Sequence, residues 1–408
     1  MGKPKLARSM CKKGCAAAIT EIKECSARLA GQLDESRPGH LQDKGKPVTE
    51  DSRAITTPNA LSQNNVESEQ GPSSAKPGAE PAVSIVFLDE AGLAAFVDRY
   101  RSKGGDKVRR AQAIADQIKR AGHGSRRLGL LPVDWEGVLN EFARAFPNFS
   151  ELAELLRDHF ALSSLGDRRV HWPAVLLVGP AGIGKTEAAR WLASQLLLPF
   201  RVFDMASTQS SSPLAGSEAF WSNSEPGQLF ELLAYQPLAN PVAVLDELDK
   251  AGSGEQQYDP LAALYTLLEP RSARAFIDLS VRDFAIDASH TNWIATANDL
   301  EAIPGPLRSR LTVLHIQPPT VEQVSTIAQN VYSRLRDESS WGDAFVERLD
   351  AEVMARLQML SPRSLRLVLH RAFGAAARAG RRIVQVQDIT LPEGSTRRGV
   401  GFVSDGWS

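Results

Sequence analysis

The sequence predicts an α/β fold, a parallel sheet flanked by helices, with a small all-helical domain after it and a helical region and a disordered tail before it. Three observations carry that prediction. Strand-like runs at 201–203, 242–245, 293–297 and 313–316, after a first at 175–178, alternate with helical stretches, the order that parallel strands with crossover helices require. A glycine-rich turn, Gly179-Pro-Ala-Gly-Ile-Gly-Lys185-Thr186, joins the first strand to a helix over 187–197. After Pro319 the pattern becomes helical throughout.

The turn names a ligand. Gly179, Gly182 and Gly184 let the backbone bend where a side chain would clash, so that successive N–H groups of the loop that also holds Pro180, Ala181 and Ile183 cradle the β-phosphate of a nucleotide. The helix N-terminus adds its dipole. Lys185 would neutralise the β- and γ-phosphates, and the Thr186 hydroxyl would hold a Mg²⁺ ion that bridges them. Every fixed position of G-x-x-x-x-G-K-[ST] is matched, between a strand and a helix as the motif requires.

Two further strand ends supply chemistry. Val242-Ala-Val-Leu-Asp246-Glu247 places two carboxylates at the carboxyl edge of the sheet, where the glycine-rich turn also lies. Asp246 is suited to reach Mg²⁺ through its water shell and Glu247 to take a proton from an attacking water. The run Trp293-Ile-Ala-Thr-Ala297 ends in Asn298, whose amide can donate to the γ-phosphate and orient that water.

In this order and setting Asn298 resembles the sensor-1 residue of the AAA+ ATPases, a resemblance that runs from about Leu165 to Thr390. Within that family the chain is similar to the ATPase module of the Lon proteases. The stretch Gly216-Ser-Glu-Ala-Phe220-Trp221-Ser-Asn-Ser-Glu-Pro226-Gly227 resembles the Lon loop that carries a pore-lining aromatic, and Leu245-Asp-Glu-Leu-Asp-Lys250 matches its acidic strand end. Trp221, with Phe220 as the alternative, is an aromatic among polar neighbours, which suits contact with an extended polypeptide. Tyr258 suits a second such loop. The segment Ile303-Pro-Gly-Pro-Leu-Arg308-Ser-Arg310-Leu resembles the family's arginine-finger segment, which implies Arg310 as the finger, with Arg308 the alternative, reaching the γ-phosphate held by a neighbouring subunit. In Ser361-Pro-Arg363-Ser-Leu365-Arg366, Arg363 resembles the sensor-2 arginine of the lid, and Arg366 is the competing choice. In Lon a Ser-Lys peptidase domain follows the lid. Only a short stretch follows Leu391 here, so no protease activity is expected, and the Lon N-terminal substrate domain is not recognisable in 1–165.

Composition sets the remaining expectations. The chain has 408 residues, 43% of them hydrophobic, and a net charge of -1, which is enough apolar content for several cores and no global attraction to nucleic acid or membranes. No apolar run approaches membrane-spanning length. Every Phe, Trp and Tyr lies at or after Phe87, and residues 36–80 are too polar to order themselves. Glu21 and Glu24 interrupt the basic N-terminus, which reads as a solvated tail rather than a targeting segment, and the protein is expected to be cytoplasmic. Cys11, Cys15 and Cys25 read as free thiols. Residues 98–127 hold ten Lys or Arg against three Asp, which reads as a solvated helix face, with a polyanion the alternative. Asp134 caps a helix whose Trp135, Val138, Leu139, Phe142 and Phe146 share a face, and a second helix follows Ser150. Thr320 and Gln323 form a capping box before Val321, Val324, Ile327, Ala328 and Val331.

The expected segments are a tail over 1–81, a helical region over 82–165, the large α/β domain over 166–318, a helical lid over 319–394 and a C-terminal tail over 395–408. The expected activity is Mg²⁺-dependent ATP hydrolysis by a homo-oligomer, a hexamer by family resemblance, that remodels or unfolds protein substrates. The alternatives are a nucleic-acid remodelling motor and an ATP-binding assembly switch.

Overall fold

The computed structural model describes residues 83–101, 105–218, 224–251 and 259–391. The tail over 1–81, with its three cysteines, lies outside the described residues, as do Phe220, Trp221, Tyr258 and the C-terminal tail.

The first described element is a strand, β1 (Ser84–Val86), which pairs antiparallel with β2 (Ser125–Arg127) across two helices, α1 (Glu90–Arg101) and α2 (Gly105–Ala121). The helical region expected over 82–165 holds this short strand pair among its helices. Three-residue strands are too short to show alternation in sequence, and Ser-Arg-Arg becomes a strand because its edge is paired. α2 buries Ala111, Ile114, Ala115 and Ile118, one face of a helix, and turns Lys107, Arg109, Lys119 and Arg120 to solvent. The basic run is thus a solvated face, in which Arg109 lies 3.6 Å from Asp106 and Arg99 2.9 Å from Asp283. Arg126 points the other way. It is buried and donates to the carbonyls of Ile118, His123, Ser125 and Ala234, with its guanidinium 4.7 Å from the centre of the Phe87 ring. Burial without a carboxylate pulls its pKa down to about 10.

Two helices lead into the sheet. α3 (Trp135–Ala145) begins at Asp134, whose carboxylate accepts the Gly137 N–H at 3.0 Å, and α4 (Ser150–Ser164) follows. The chain then runs through β3 (Val175–Val178), α5 (Lys185–Gln195), β4 (Phe200–Asp204), α6 (Gln228–Ala234) and β5 (Val242–Asp246). A hairpin, β6 (Phe276–Asp278) and β7 (Val281–Ile286), precedes β8 (Asn292–Ala297) and β9 (Thr312–His315). Five strands form one parallel sheet in the order β4-β5-β8-β3-β9. Alternation divides its side chains between two cores: Leu176, Ala243, Leu245, Trp293 and Ala295 face one, and Val175, Leu177, Val242, Val244 and Ile294 face the other. The hairpin went unseen in sequence because its apolar residues, Phe276, Val281, Phe284 and Ile286, are separated by a turn and a register shift.

The last helices, α7 (Val321–Glu338), α8 (Ala351–Leu357) and α9 (Pro362–Arg378), enclose a third core of their own. The capping box at Thr320 is present, with Gln323 N donating to Thr320 Oγ1 at 3.2 Å and Thr320 N to Gln323 Oε1 at 2.8 Å. Val324, Ile327 and Ala328 are buried, but Val321, in the first turn, is exposed. Tyr332 stacks on Phe373 at 4.8 Å and donates its hydroxyl to Val346 O at 2.7 Å. Among the described residues no helix is long and apolar enough to cross a membrane.

Candidate nucleotide site

The carboxyl ends of β3, β5 and β8 are neighbours in the sheet, so the three loops that follow them meet at one edge. After β3, Gly179 passes so close to β9 that a Cβ there would stand 2.3 Å from Ile316 O, which glycine alone avoids. Gly184, at φ 102, caps α5 with no side-chain hydrogen bond, and a Cβ on it would meet nothing within 4 Å. The loop therefore presents an open cradle at a helix N-terminus, where backbone N–H groups can bind an anion. That cradle fits a nucleotide phosphate.

Lys185 lies folded back beneath the loop. Its Nζ donates to Gly179 O at 2.6 Å, Pro180 O at 3.1 Å and Asn298 Oδ1 at 3.0 Å. Burial holds its pKa below the usual lysine value, and the carboxylates of Asp249, Asp246 and Glu247 work against that. Thr186 Oγ1 donates to Asp246 Oδ1 at 2.7 Å, which puts the hydroxyl and the carboxylate in contact. A hydroxyl beside a carboxylate at the mouth of a phosphate loop is a donor set of oxygens suited to Mg²⁺.

Glu247 sits at φ 55, in the left-handed region, so the chain turns sharply as it leaves β5 and the carboxylate stands clear of the strand. Lys250 Nζ donates to Glu247 Oε2 at 2.8 Å. Two residues that the sequence reading missed hold this edge together. Thr296, on β8, donates to Asp246 Oδ1 at 2.7 Å and accepts the Glu247 N–H at 3.0 Å. Asp249 accepts the N–H groups of Asn298 and Asp299 on Oδ2, at 3.1 and 3.2 Å. Asp249 was visible in the Asp-Glu-Leu-Asp-Lys run. Thr296 had no signal beyond its place before Ala297 and Asn298.

With this edge described, comparison places it. Residues 175–318 match the model of the ATPase family associated with various cellular activities (AAA). These residues are an AAA ATPase domain. The AAA domain lies in the part of the chain that is similar to Lon proteases. A mitochondrial Lon protease homologue of Kluyveromyces lactis is 29% identical over 209 residues, covering 48% of this chain and 18% of that protein. Lon protease 1 of Syntrophotalea carbinolica is 30% identical over 48% of this chain and 26% of its own length, and the peroxisomal Lon protease homologue 2 of Oryza sativa 27% identical over 74% and 35%. The chain thus matches between 18% and 35% of these relatives' lengths. A solved structure of Thermotoga maritima RuvB is similar at 18% identity and a TM-score of 0.41, over 59% of this chain and 67% of that one.

The arginines fall in three places relative to the AAA site. Arg308 Nη1 donates to Glu301 Oε1 at 2.9 Å and Arg310 Nη1 to Pro306 O at 2.6 Å, so both are held by their own segment rather than by the phosphate loop. The Nε of Arg310 is buried with no hydrogen-bond partner. Arg363, at the start of α9, meets the loop directly: its N–H donates to Gly182 O at 3.2 Å. Arg366, one turn on, is turned away and donates to Glu338 Oε2 at 2.9 Å.

The loop carrying Phe220 and Trp221 is described only at its base. There Ser217 N donates to Glu225 O at 3.0 Å, Gly227 N to Asp278 Oδ2 at 2.8 Å and Leu279 N to Ala215 O at 2.7 Å, and Arg282 pairs with Glu218. The β6–β7 hairpin is therefore what fastens that loop to the domain. Burial raises the Asp278 carboxyl above the usual range despite these donors.

Proposed function

We propose that this chain is the Mg²⁺-dependent ATPase of an oligomeric motor that remodels or unfolds protein substrates. The observation that carries the reading is the meeting of Lys185, Thr186, Asp246, Glu247 and Asn298 at one sheet edge, joined by the Thr186–Asp246 and Lys185–Asn298 contacts. Thr186 and Asp246 would hold Mg²⁺, which when bound supplies positive charge against the β- and γ-phosphates.

The chain's own residues divide the rest. Lys185 turns from the carbonyls of Gly179 and Pro180 to the phosphate, and in doing so releases the Asn298 amide to orient a water. Glu247 takes that water's proton at its carboxylate. Arg310 is held on its own segment by Pro306 O rather than by the phosphate loop, so a finger role for it requires a neighbouring copy of the chain, as the resemblance implies. Arg363 ties the lid to the loop. Protein substrates are supported by the proteases among the relatives, because the shared segment contains the ATPase domain. By that likeness Trp221 and Phe220 would contact the substrate.

The Glu247→Gln variant tests the base. It keeps ATP binding and loses hydrolysis by about 100-fold or more in kcat, measured side by side with binding of a fluorescent ATP analogue. Turnover equal to that of the native chain would remove Glu247 from the mechanism. The same variant, trapped with ATP in cell extract, retains protein clients if the motor acts on proteins, and nucleic acid if it does not.

A further inference from the structure

The seam between the lid and the large domain is polar, and it runs along one face of α7. Gln323, Asn330 and Arg334 recur at helical spacing, while Val324, Ala328 and Leu335 on the adjoining face bury themselves in the lid's own core. Gln323 Nε2 donates to Pro147 O at 3.0 Å and Asn330 Nδ2 to Arg144 O at 2.9 Å. These contacts clip α7 to the last turn of α3 and the turn that follows it, and nothing in them involves the nucleotide site. The third contact does.

Arg334 Nη1 donates to Glu187 Oε1 at 2.6 Å. Glu187 follows Thr186 directly, in the first turn of α5, and its other oxygen lies 3.8 Å from Arg190. Arg334 Nε donates in turn to Glu338 Oε1 at 2.9 Å, and Glu338 Oε2 accepts from Arg366 on α9. Arg366 stands one turn beyond Arg363, whose N–H reaches back to Gly182 O in the phosphate loop. The contacts close a ring around the cleft: phosphate loop, α5, Arg334, Glu338, α9 and back to the loop. The planar fork of Arg334 serves Glu187 through Nη1 and Glu338 through Nε at once. Arg334 and Glu187 are each about two-fifths exposed, so the ring opens at low cost, as a lid that must move requires.

We infer that Arg334 is a positioning residue, which through Glu187 and Glu338 holds the start of α9, and with it Arg363, against the phosphate loop, so that nucleotide affinity depends on this ion-pair relay. The inference rests on the reading of the site as one that binds and hydrolyses ATP.

The test uses the full chain and the variants Arg334→Met, Glu187→Gln and the double variant. Each single variant raises KM for ATP and Kd for a fluorescent ADP analogue by about 3- to 5-fold, with kcat changing less than KM. The double variant is no weaker than the worse single one, because both remove the same link. Arg334→Lys keeps the charge without the fork and lies between the native chain and Arg334→Met. KM unchanged in both single variants, or effects that multiply in the double, would overturn the relay. If Arg334→Met does not fold, Glu187→Gln, which changes the other partner of the same bond, decides alone. A native chain that binds neither nucleotide overturns the reading of the site itself, a result distinct from a native chain that turns over ATP with variants indistinguishable from it.

Discussion

Asp246 takes two hydroxyl hydrogens on a single oxygen, one from the phosphate loop through Thr186 and one from the next strand through Thr296. The same Thr296 oxygen accepts the Glu247 N–H, at the residue whose φ of 55 costs backbone strain. One buried hydroxyl therefore fixes the direction of both acids. Replacing it by a methyl in Thr296→Val leaves the Glu247 N–H without its acceptor and Asp246 with one donor fewer. The expected outcome is a loss of about 1–2 kcal/mol in stability by urea titration. It is accompanied by a roughly 10- to 100-fold fall in kcat, because the acids lose their aim. Unaltered turnover would show that strand β5 alone positions them. Sequence made Asp246 and Glu247 legible because acids at the end of an apolar strand break its pattern. Thr296 was illegible, since threonine is at home in any strand and only the pairing of β5 with β8 shows what its hydroxyl meets.

At the scale of elements, α2, β2 and α6 are joined by Arg126, whose guanidinium bridges carbonyls at Ile118, His123, Ser125 and Ala234. Among the described residues no carboxylate pairs with it, and the charge is stabilised there by backbone dipoles and the Phe87 ring. Arg126→Met takes a donor from four buried or half-buried carbonyls, of which Ile118 O keeps the His123 N–H, and is expected to cost about 3 kcal/mol, read as a lower denaturant midpoint with an unchanged slope. A cost below about 1 kcal/mol would mean that water replaces the guanidinium. In sequence this arginine was one of ten basic residues in a run and nothing set it apart. The capped helices were the opposite case: Asp134 and Thr320 carry their signal within four residues, because a cap is a local hydrogen bond.

Over the whole molecule, the edge of the sheet remote from the phosphate loop carries a titratable weak point. His171 lies between β3 and the preceding turn, with its Nδ1 buried and without a hydrogen-bond partner. Burial first, then Arg169, His290 and His159, pull its pKa down to about 4. The unfolded chain would titrate this group near 6.5. Between these values the folded state binds fewer protons than the unfolded one, so stability is complete above about pH 6.5 and falls as acid is added towards pH 4. The loss over that window is about 3 kcal/mol. Asp278 acts with the opposite sign, since its raised pKa makes its charged form the costly one as pH rises. The native chain and His171→Gln, compared by denaturant midpoint at pH 7, 5.5 and 4.5, separate the two: the gap in acid sensitivity is the histidine's share, and parallel curves would remove it.

The sequence by itself determined the five strands of the parallel sheet, the phosphate loop and the acids at its edge, because each of these is written in neighbouring residues as a period, a cap or a motif. It could not determine that Ser84–Val86 and Ser125–Arg127 form a sheet, that the β6–β7 hairpin fastens the aromatic loop, or that Arg363 rather than Arg366 meets Gly182. Those outcomes depend on partners brought together from distant parts of the chain. Arg334 and Glu187 are 147 residues apart, and no local pattern marks either as half of an ion pair. Only the packing of the lid against α5 brings their charges within reach.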